Sequence, residues 1–229
     1  MLDIVGYQGK NILNKHILDS SCGTGNFLVE AVQRYLEISK DKPNSQIKKE
    51  LENYIHGIEI DPLLYSECLK RLNALFIANY DIRLGDALTI SDYNGKMDFV
   101  VGNPPYVKIQ NLEKENKELF AIQGIKGMFN LYLLFYFLSF QQLNKNGKLI
   151  YLTPNFAQTI YAKKLREKIS QEQKLIKLFD FQHYQIFKEI TTYSVIALFN
   201  NSVKSSVFDY SLVGLENEKL LIASAIQTD

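Results

Sequence analysis

Apolar residues recur along this chain in two alternating rhythms, short β-branched runs and longer stretches with apolar positions three and four apart. That succession predicts strands joined by crossover helices in a mostly parallel sheet. Asn11–Ser20 predicts the first strand, and Phe27–Ser39, apolar at Phe27, Ala31, Tyr35 and Ile38, predicts the first helix. After a break at Lys40–Ser45, a polar helix over Gln46–Asn53 leads into a second strand at Tyr54–Ile60. Pro62 opens the next helix at its first turn, where the missing N–H costs nothing. Ile82–Leu84 is a short third strand, and Met97–Gly102 a fourth, nearly all apolar as a strand covered on both faces requires. Lys108–Lys126 is Lys- and Glu-rich and long for a loop, which marks it as functional or partly disordered. A helix at Phe129–Leu143, a turn at Asn144–Gly147 and a fifth strand at Lys148–Leu152 follow. Lys174–Phe181 and Tyr193–Phe199 are strands with no helix between them, so they should pair antiparallel. Asn200–Asp229 offers one strand-like stretch and a tail.

At 229 residues, 46% of them apolar, the chain suits one α/β domain over residues 1–229. Its formal charge of +1 gives no strong positive field, so a polyanion has to be gripped locally or with a partner's help. Cys22 and Cys68 stand in no paired spacing, which argues against a disulfide framework or zinc ribbon and fits a reducing cytoplasm. Met1–Lys10 lacks an apolar signal core, and Met128–Phe140 is too short to span a bilayer. His16, His56 and His183 are scattered without metal-ligand spacing, so no metal is expected and all three read as structural.

Ligands of open α/β sheets bind beyond the carboxyl ends of the strands, and four such loops carry chemistry. The first is Asp19-Ser-Ser-Cys-Gly-Thr-Gly-Asn-Phe27, in which Gly23 and Gly25 permit a tight turn and close approach of a ligand to backbone. An ordinary glycine turn satisfies the same pattern. In Ile58-Glu59-Ile60-Asp61 a carboxylate ends strand two, where doubly wound folds hold ribose hydroxyls; Asp61 equally suits the cap of the helix at Pro62. Gly85-Asp86-Ala87 places a carboxylate after strand three, either to accept from an adenine amino group or as a turn aspartate. The fourth, Gly102-Asn103-Pro104-Pro105-Tyr106, is the most specific: consecutive prolines stiffen the backbone around Asn103. The Asn103 amide oxygen and the Pro104 carbonyl can then accept both hydrogens of one amino group.

Taken in order, these loops resemble motifs I to IV of amino-group DNA methyltransferases, in which Asn-Pro-Pro-Tyr marks N6-adenine enzymes. Met128–Phe156 resembles the region of motifs V and VI, and Phe181–Phe199 that of motifs VII and VIII. Asp86 and Asn103 stand too close to admit a domain between them, so the order is similar to the gamma class of type II restriction-modification enzymes. Motif X is not recognisable in Met1–His16, no target-recognition domain is recognisable, and Ser20 replaces a proline common in motif I.

The resemblance implies a Rossmann-like class I methyltransferase fold: a seven-stranded, mostly parallel sheet with an antiparallel strand and helices on both faces. It implies S-adenosylmethionine held by Asp19, Cys22, Gly23, Thr24, Gly25, Phe27, Glu59, Ile60, Asp86, Ala87 and Asn103. Catalysis falls to Asn103, Pro104 and Tyr106, with Tyr106 and Phe187 stacking on a flipped-out adenine. DNA, a separate recognition domain or subunit and a companion restriction endonuclease are the implied partners. The same loop also serves enzymes that methylate glutamine amides or ribosomal RNA, and a non-catalytic partner-binding subunit is the alternative from another class.

Overall fold

A computed structural model describes residues 1–108, 130–182, 184, 193–216 and 219–223. Its strands are β1 (Ile17–Asp19), β2 (Ile55–Glu59), β3 (Asp81–Leu84), β4 (Met97–Gly102), β5 (Leu143–Pro154), β6 (Leu175–Asp180), β7 (Ser194–Asn200), β8 (Asp209–Glu216) and β9 (Lys219–Ala223). Among the described residues they form one nine-stranded sheet in the order β3-β2-β1-β4-β5-β7-β6-β8-β9. β7 runs antiparallel to both β5 and β6, the pairing expected between Lys174–Phe181 and Tyr193–Phe199, and β9 runs antiparallel to β8. The remaining pairs are parallel. The two strands beyond the expected seven are β8 and β9, added at the β6 edge.

The helices are α1 (Leu2–Val5), α2 (Asn26–Ile38), α3 (Asn44–Tyr54), α4 (Pro62–Leu75), α5 (Tyr132–Gln142) and α6 (Lys163–Glu172). Alternation along the central strands separates two cores. Ile17, Phe99, Val101 and Ile150 pack with α1 to α4, whereas Leu18, Val100, Leu149 and Tyr151 pack with α5 and α6. α5 is buried on nearly every side, which explains why Tyr132–Leu138 carries no polar stripe.

Three local expectations change. β1 starts at Ile17 rather than Asn11, because Gly9–Ile12 forms a 3-10 turn and Asn14 adopts a left-handed φ of 57° that breaks any strand. Residues 144–147 belong to β5 instead of a turn. Gly147 serves there because a Cβ would stand 2.5 Å from the Met97 carbonyl oxygen of the neighbouring strand. Met1–Lys10, which lacks the run of apolar residues a signal core needs, instead sends Leu2, Val5 and Tyr7 into the core, with Tyr7 edge-on to Phe99 at 5.2 Å. The stretch 109–126 of the expected Lys- and Glu-rich loop lies outside the described residues, as do His183 and Phe187.

Candidate active site

The strand order reverses direction between β1 and β4, and the cleft forms there, at the topological switch point. The carboxyl ends of β1, β2, β3 and β4 open onto a cavity of about 300 Å³, lined by Ser20, Ser21, Gly23, Glu59, Ile60, Leu64, Gly85, Asp86, Ala87, Leu88, Asn103, Pro105, Leu131 and Phe135.

After β1 the chain turns within hydrogen-bonding reach of its own acid: the Ser21 N–H donates to Asp19 Oδ1 at 3.0 Å. The Cys22 N–H then donates to the Ile58 carbonyl at 3.0 Å, and the Gly23 N–H to Glu59 Oε2 at 2.7 Å, fastening the loop across β2. Gly25 caps α2 in a left-handed conformation with φ 80°, and a Cβ there would stand 2.6 Å from Cys68 Sγ of α4. Arg71, also on α4, donates to the Thr24 carbonyl at 2.7 Å, Thr24 Oγ1 at 3.0 Å and Asn26 Oδ1 at 2.7 Å. α4 is thus the brace of the glycine loop. Ser20 donates to Gln142 Oε1 at 3.0 Å, joining the same loop to α5.

Three carboxylates differ in what they still have to offer. Asp19 is 2% exposed, and burial pushes its carboxyl up to about 7; the Ser21 N–H opposes this, and the negative Glu59 nearby adds to it. No described residue forms an ion pair with it, so a cationic ligand group would lower that penalty. Glu59 accepts from Gly23 N through Oε2 and from Asp61 N through Oε1 at 2.9 Å, leaving one lone pair on each oxygen. Asp86 accepts from Leu88 N at 2.9 Å through Oδ1, and its second oxygen takes no hydrogen bond among the described residues. Asp61 caps α4 by accepting from Leu63 N at 2.7 Å and Leu64 N at 3.1 Å, the capping role. Ile60, 66% exposed, and Leu64 give the cleft an apolar rim suited to the face of a planar ring.

β4 delivers Asn103 to the opposite wall. Gly102 is required just before it, since a Cβ would come within 3.0 Å of Asp19 Oδ1 and 3.2 Å of the Tyr151 ring. Pro104 is buried, and its carbonyl accepts nothing among the described residues. The Tyr106 hydroxyl lies 2.7 Å from Asn103 Oδ1 and 3.3 Å from the Leu152 carbonyl oxygen. Its half-buried ring meets Tyr132 edge-on at 6.4 Å, and burial raises its phenol above the usual range.

Of the residues assigned to a cofactor, Gly23, Glu59, Ile60, Asp86, Ala87 and Asn103 come together around one cavity. Cys22, Thr24, Gly25 and Phe27 do not line it. The Cys22 thiol faces Cys68 at 4.0 Å, Arg71 holds Thr24, and Phe27 packs on the α1 to α4 core, so these residues shape the loop from behind. Asp19 lies buried beneath the loop. Ser21, Leu88, Leu131 and Phe135 line the cleft without having been singled out in the sequence; α5 supplies Phe135 from outside all four motif loops, a placement that no local pattern signals.

Residues 22–187 match the profile of the Eco57I restriction-modification methylase. The chain belongs to the Eco57I restriction-modification methylase family. It is 30% identical to the type II methyltransferase M.BstVI of Geobacillus stearothermophilus over 93% of this chain and 41% of that protein. It is 26% identical to the type II restriction enzyme and methyltransferase RM.Eco57I of Escherichia coli over 95% of this chain and 28% of that protein. The chain therefore spans less than half the length of either relative. Among solved structures, the M protein of the type I restriction enzyme EcoKI superposes with a TM-score of 0.66 at 15% identity, covering 93% of this chain and 49% of that one. A class I S-adenosylmethionine-dependent methyltransferase from Listeria monocytogenes superposes with a TM-score of 0.63 at 17% identity, covering 86% and 58%. The fold is that of the class I methyltransferases.

Proposed function

We propose that this chain is the catalytic domain of a restriction-modification DNA methyltransferase that transfers a methyl group from S-adenosylmethionine to N6 of a flipped-out adenine. One observation carries the reading: Asn103, preceded by a strand buried on both faces and followed by two prolines, faces Gly23, Glu59 and Asp86 across a single cavity. The family relatives, named as type II methyltransferases, supply the reaction class.

The residues present fit the cofactor. Glu59 has a free lone pair on each oxygen for ribose hydroxyls, the unpaired oxygen of Asp86 suits an exocyclic amine, and Ile60 and Leu64 suit the face of a purine. Buried Asp19, without a cation, favours a positively charged ligand beside the glycine loop. When bound, the cofactor supplies an electrophilic methyl group on a sulfonium.

The chain's own groups then act on the base. Adenine's amino lone pair is delocalised into the ring; accepting its two hydrogens at Asn103 Oδ1 and the Pro104 carbonyl draws the nitrogen toward tetrahedral geometry and frees that pair. Asn103 Oδ1 accepts one bond from Tyr106 in the base-free chain and keeps a second lone pair for the substrate. Tyr106 offers one stacking face, and Phe187, in the stretch that resembles motif VIII, is assigned the other. The expected partners are duplex DNA, a target-recognition domain or subunit, and a restriction endonuclease. Two free thiols 4.0 Å apart support a reducing cytoplasm as the site of action. Among the described residues no helix is long and apolar enough to cross a membrane.

The test is Asn103→Ala, assayed by tritium transfer from labelled cofactor to DNA and by calorimetry with cofactor alone. Transfer should fall at least about 100-fold while cofactor affinity stays within about threefold. Undiminished transfer to DNA would rule the role out, and transfer to ribosomal RNA or a release factor instead of DNA would reassign the substrate.

A further inference from the structure

Behind the cleft, in the core that α1 to α4 cover, the chain's two cysteines meet. Cys22 belongs to the glycine loop and Cys68 to α4, 46 positions along, and their sulfurs stand 4.0 Å apart with the Cys22 thiol donating. Both are free thiols; Cys22 is 6% exposed and Cys68 wholly buried. Neither lines the cleft, and methyl transfer as proposed uses neither. Packing alone does not select sulfur here, since a cysteine fills space as any small apolar side chain does and differs from one in its reactivity.

The two thiols are unequal. As the donor, Cys22 has its pKa raised; Cys68, the acceptor, has its pKa lowered, with Arg71 one turn further along α4 adding to this and burial, Asp19 and Glu59 opposing. A nucleophilic sulfur beside a second that can resolve it is what a redox-responsive pair needs. The pair is also wired to the cleft. Cys22 directly precedes Gly23, whose N–H donates to Glu59 Oε2 at 2.7 Å. The surroundings leave little slack: a Cβ on Gly25 would stand 2.6 Å from Cys68 Sγ, and one on Gly57 of β2 3.2 Å from Cys22 Sγ. A disulfide brings two sulfurs from 4.0 Å to about 2 Å. With Cys68 fixed in a helix packed on the core, the loop has to make most of that movement.

We propose that Cys22 and Cys68 form a reversible, peroxide-driven disulfide that draws the glycine loop toward α4, pulls the Gly23 N–H off Glu59 and weakens the cofactor cleft. Its effect on the cofactor rests on the S-adenosylmethionine reading above; the disulfide itself does not. One sulfur attacks an oxygen of hydrogen peroxide, the O–O bond breaks, a sulfenic acid forms, and the leaving hydroxide takes the thiol proton as water. The other sulfur displaces the sulfenic hydroxyl: the S–S bond forms, the S–O bond breaks, and the hydroxyl leaves with the second thiol proton as water. Two thiols are oxidised by two electrons in all, and one peroxide is reduced to two waters. Transient disulfides of this kind are compatible with a reducing cytoplasm.

The chain, fully reduced and then treated with hydrogen peroxide, is read by peptide mass and by calorimetry with S-adenosylmethionine. The expected product is a pair of peptides joined through Cys22 and Cys68, two hydrogens lighter than the separate peptides. Cofactor affinity should fall about tenfold, the worth of one hydrogen bond to a charged group, and dithiothreitol should restore it. Cys68→Ser should form no cross-link and keep after peroxide the affinity it had before; Cys68→Ala serves the same purpose if the buried hydroxyl impairs folding. A treated chain without the cross-link overturns the inference, as does a cross-linked chain whose affinity stays within about twofold. An equal loss of affinity in peroxide-treated Cys68→Ser also overturns it, since other oxidised residues would then be responsible. A reduced chain that binds no S-adenosylmethionine fails the functional reading and takes the effect on the cofactor with it; the untreated control reports that outcome separately.

Discussion

Asn103 and Tyr106 show how much one hydroxyl proton can decide. The Tyr106 hydroxyl lies 2.7 Å from Asn103 Oδ1 and 3.3 Å from the Leu152 carbonyl oxygen, yet it has a single hydrogen to donate. If that hydrogen goes to Asn103 Oδ1, the amide is held with its second lone pair left for the substrate amine; if it goes to Leu152, that hold is released. The hydroxyl is then a rudder for the amide, separate from the stacking ring. Tyr106→Phe keeps the ring and removes the rudder. Under the proposed function its methyl-transfer rate in single-turnover kinetics should fall about fivefold, the worth of one ordinary hydrogen bond, with cofactor affinity unchanged. An unaltered rate would show the hydroxyl to be idle. At this scale the sequence was informative where chemistry sits at strand ends: Gly23, Glu59, Asp86 and Asn103 are each read from a local motif, and the fold brings them to one cavity. It was silent on the contact of Cys22 with Cys68, which lie 46 positions apart and share no motif.

Strands β1, β2 and β3 share a second cluster at their amino ends, opposite the cleft. His16 Nδ1 lies 2.8 Å from His56 Nε2, and His56 Nδ1 lies 2.8 Å from Asp81 Oδ2, which also accepts from Tyr93 at 3.0 Å. His16 and His56 are not scattered as the sequence suggested: parallel pairing of β1, β2 and β3 brings His16, His56 and Asp81 side by side. Periodicity gave the central strands and helices because their apolar positions face a core on each side. It failed at Asn14, where a left-handed residue ends a plausible strand, and at Gly147, where a glycine reads as a turn but permits close strand contact. Burial, with the neighbouring His56 and Lys96, lowers the His16 pKa from its ordinary 6.5, with Asp98 opposing. A histidine depressed in the fold favours the neutral form, so its contribution is present above pH 6.5 and is lost as pH falls below that value. Asp81, held far below 3.8 chiefly by His56, contributes above that value and fails only in stronger acid. Between pH 7.5 and 5.5 the wild-type melting temperature should therefore drop more than that of His16→Asn, by up to about 5 °C, since the variant keeps a donor toward His56 but cannot titrate. Parallel drops would remove His16 from the account.

At the scale of the molecule, the cleft sits at the switch point of a sheet that α1 to α4 cover on one face and α5 and α6 on the other. Such a scaffold is rigid, which suits a reaction that needs two reactants held in line. What it lacks is a field: 26 basic side chains against 25 acidic ones leave a formal charge of +1, and the three lysines of α6 are already paired, Lys163 and Lys164 with Glu167 and Lys168 with Glu172. Affinity for a duplex comes mainly from phosphates neutralised and counterions released, and a chain of almost no net charge sets its own carboxylates against the phosphates as often as its cations toward them. The chain on its own should bind random duplex DNA no more tightly than about 10 μM at physiological salt, at the weak end of non-specific binding. Its logarithmic salt slope should correspond to about three phosphates or fewer. Fluorescence anisotropy of a labelled duplex, titrated at several salt concentrations, measures both quantities. Nanomolar binding with a steep slope would mean that the grip lies within this domain, and the chain would then need no recognition partner to hold its substrate.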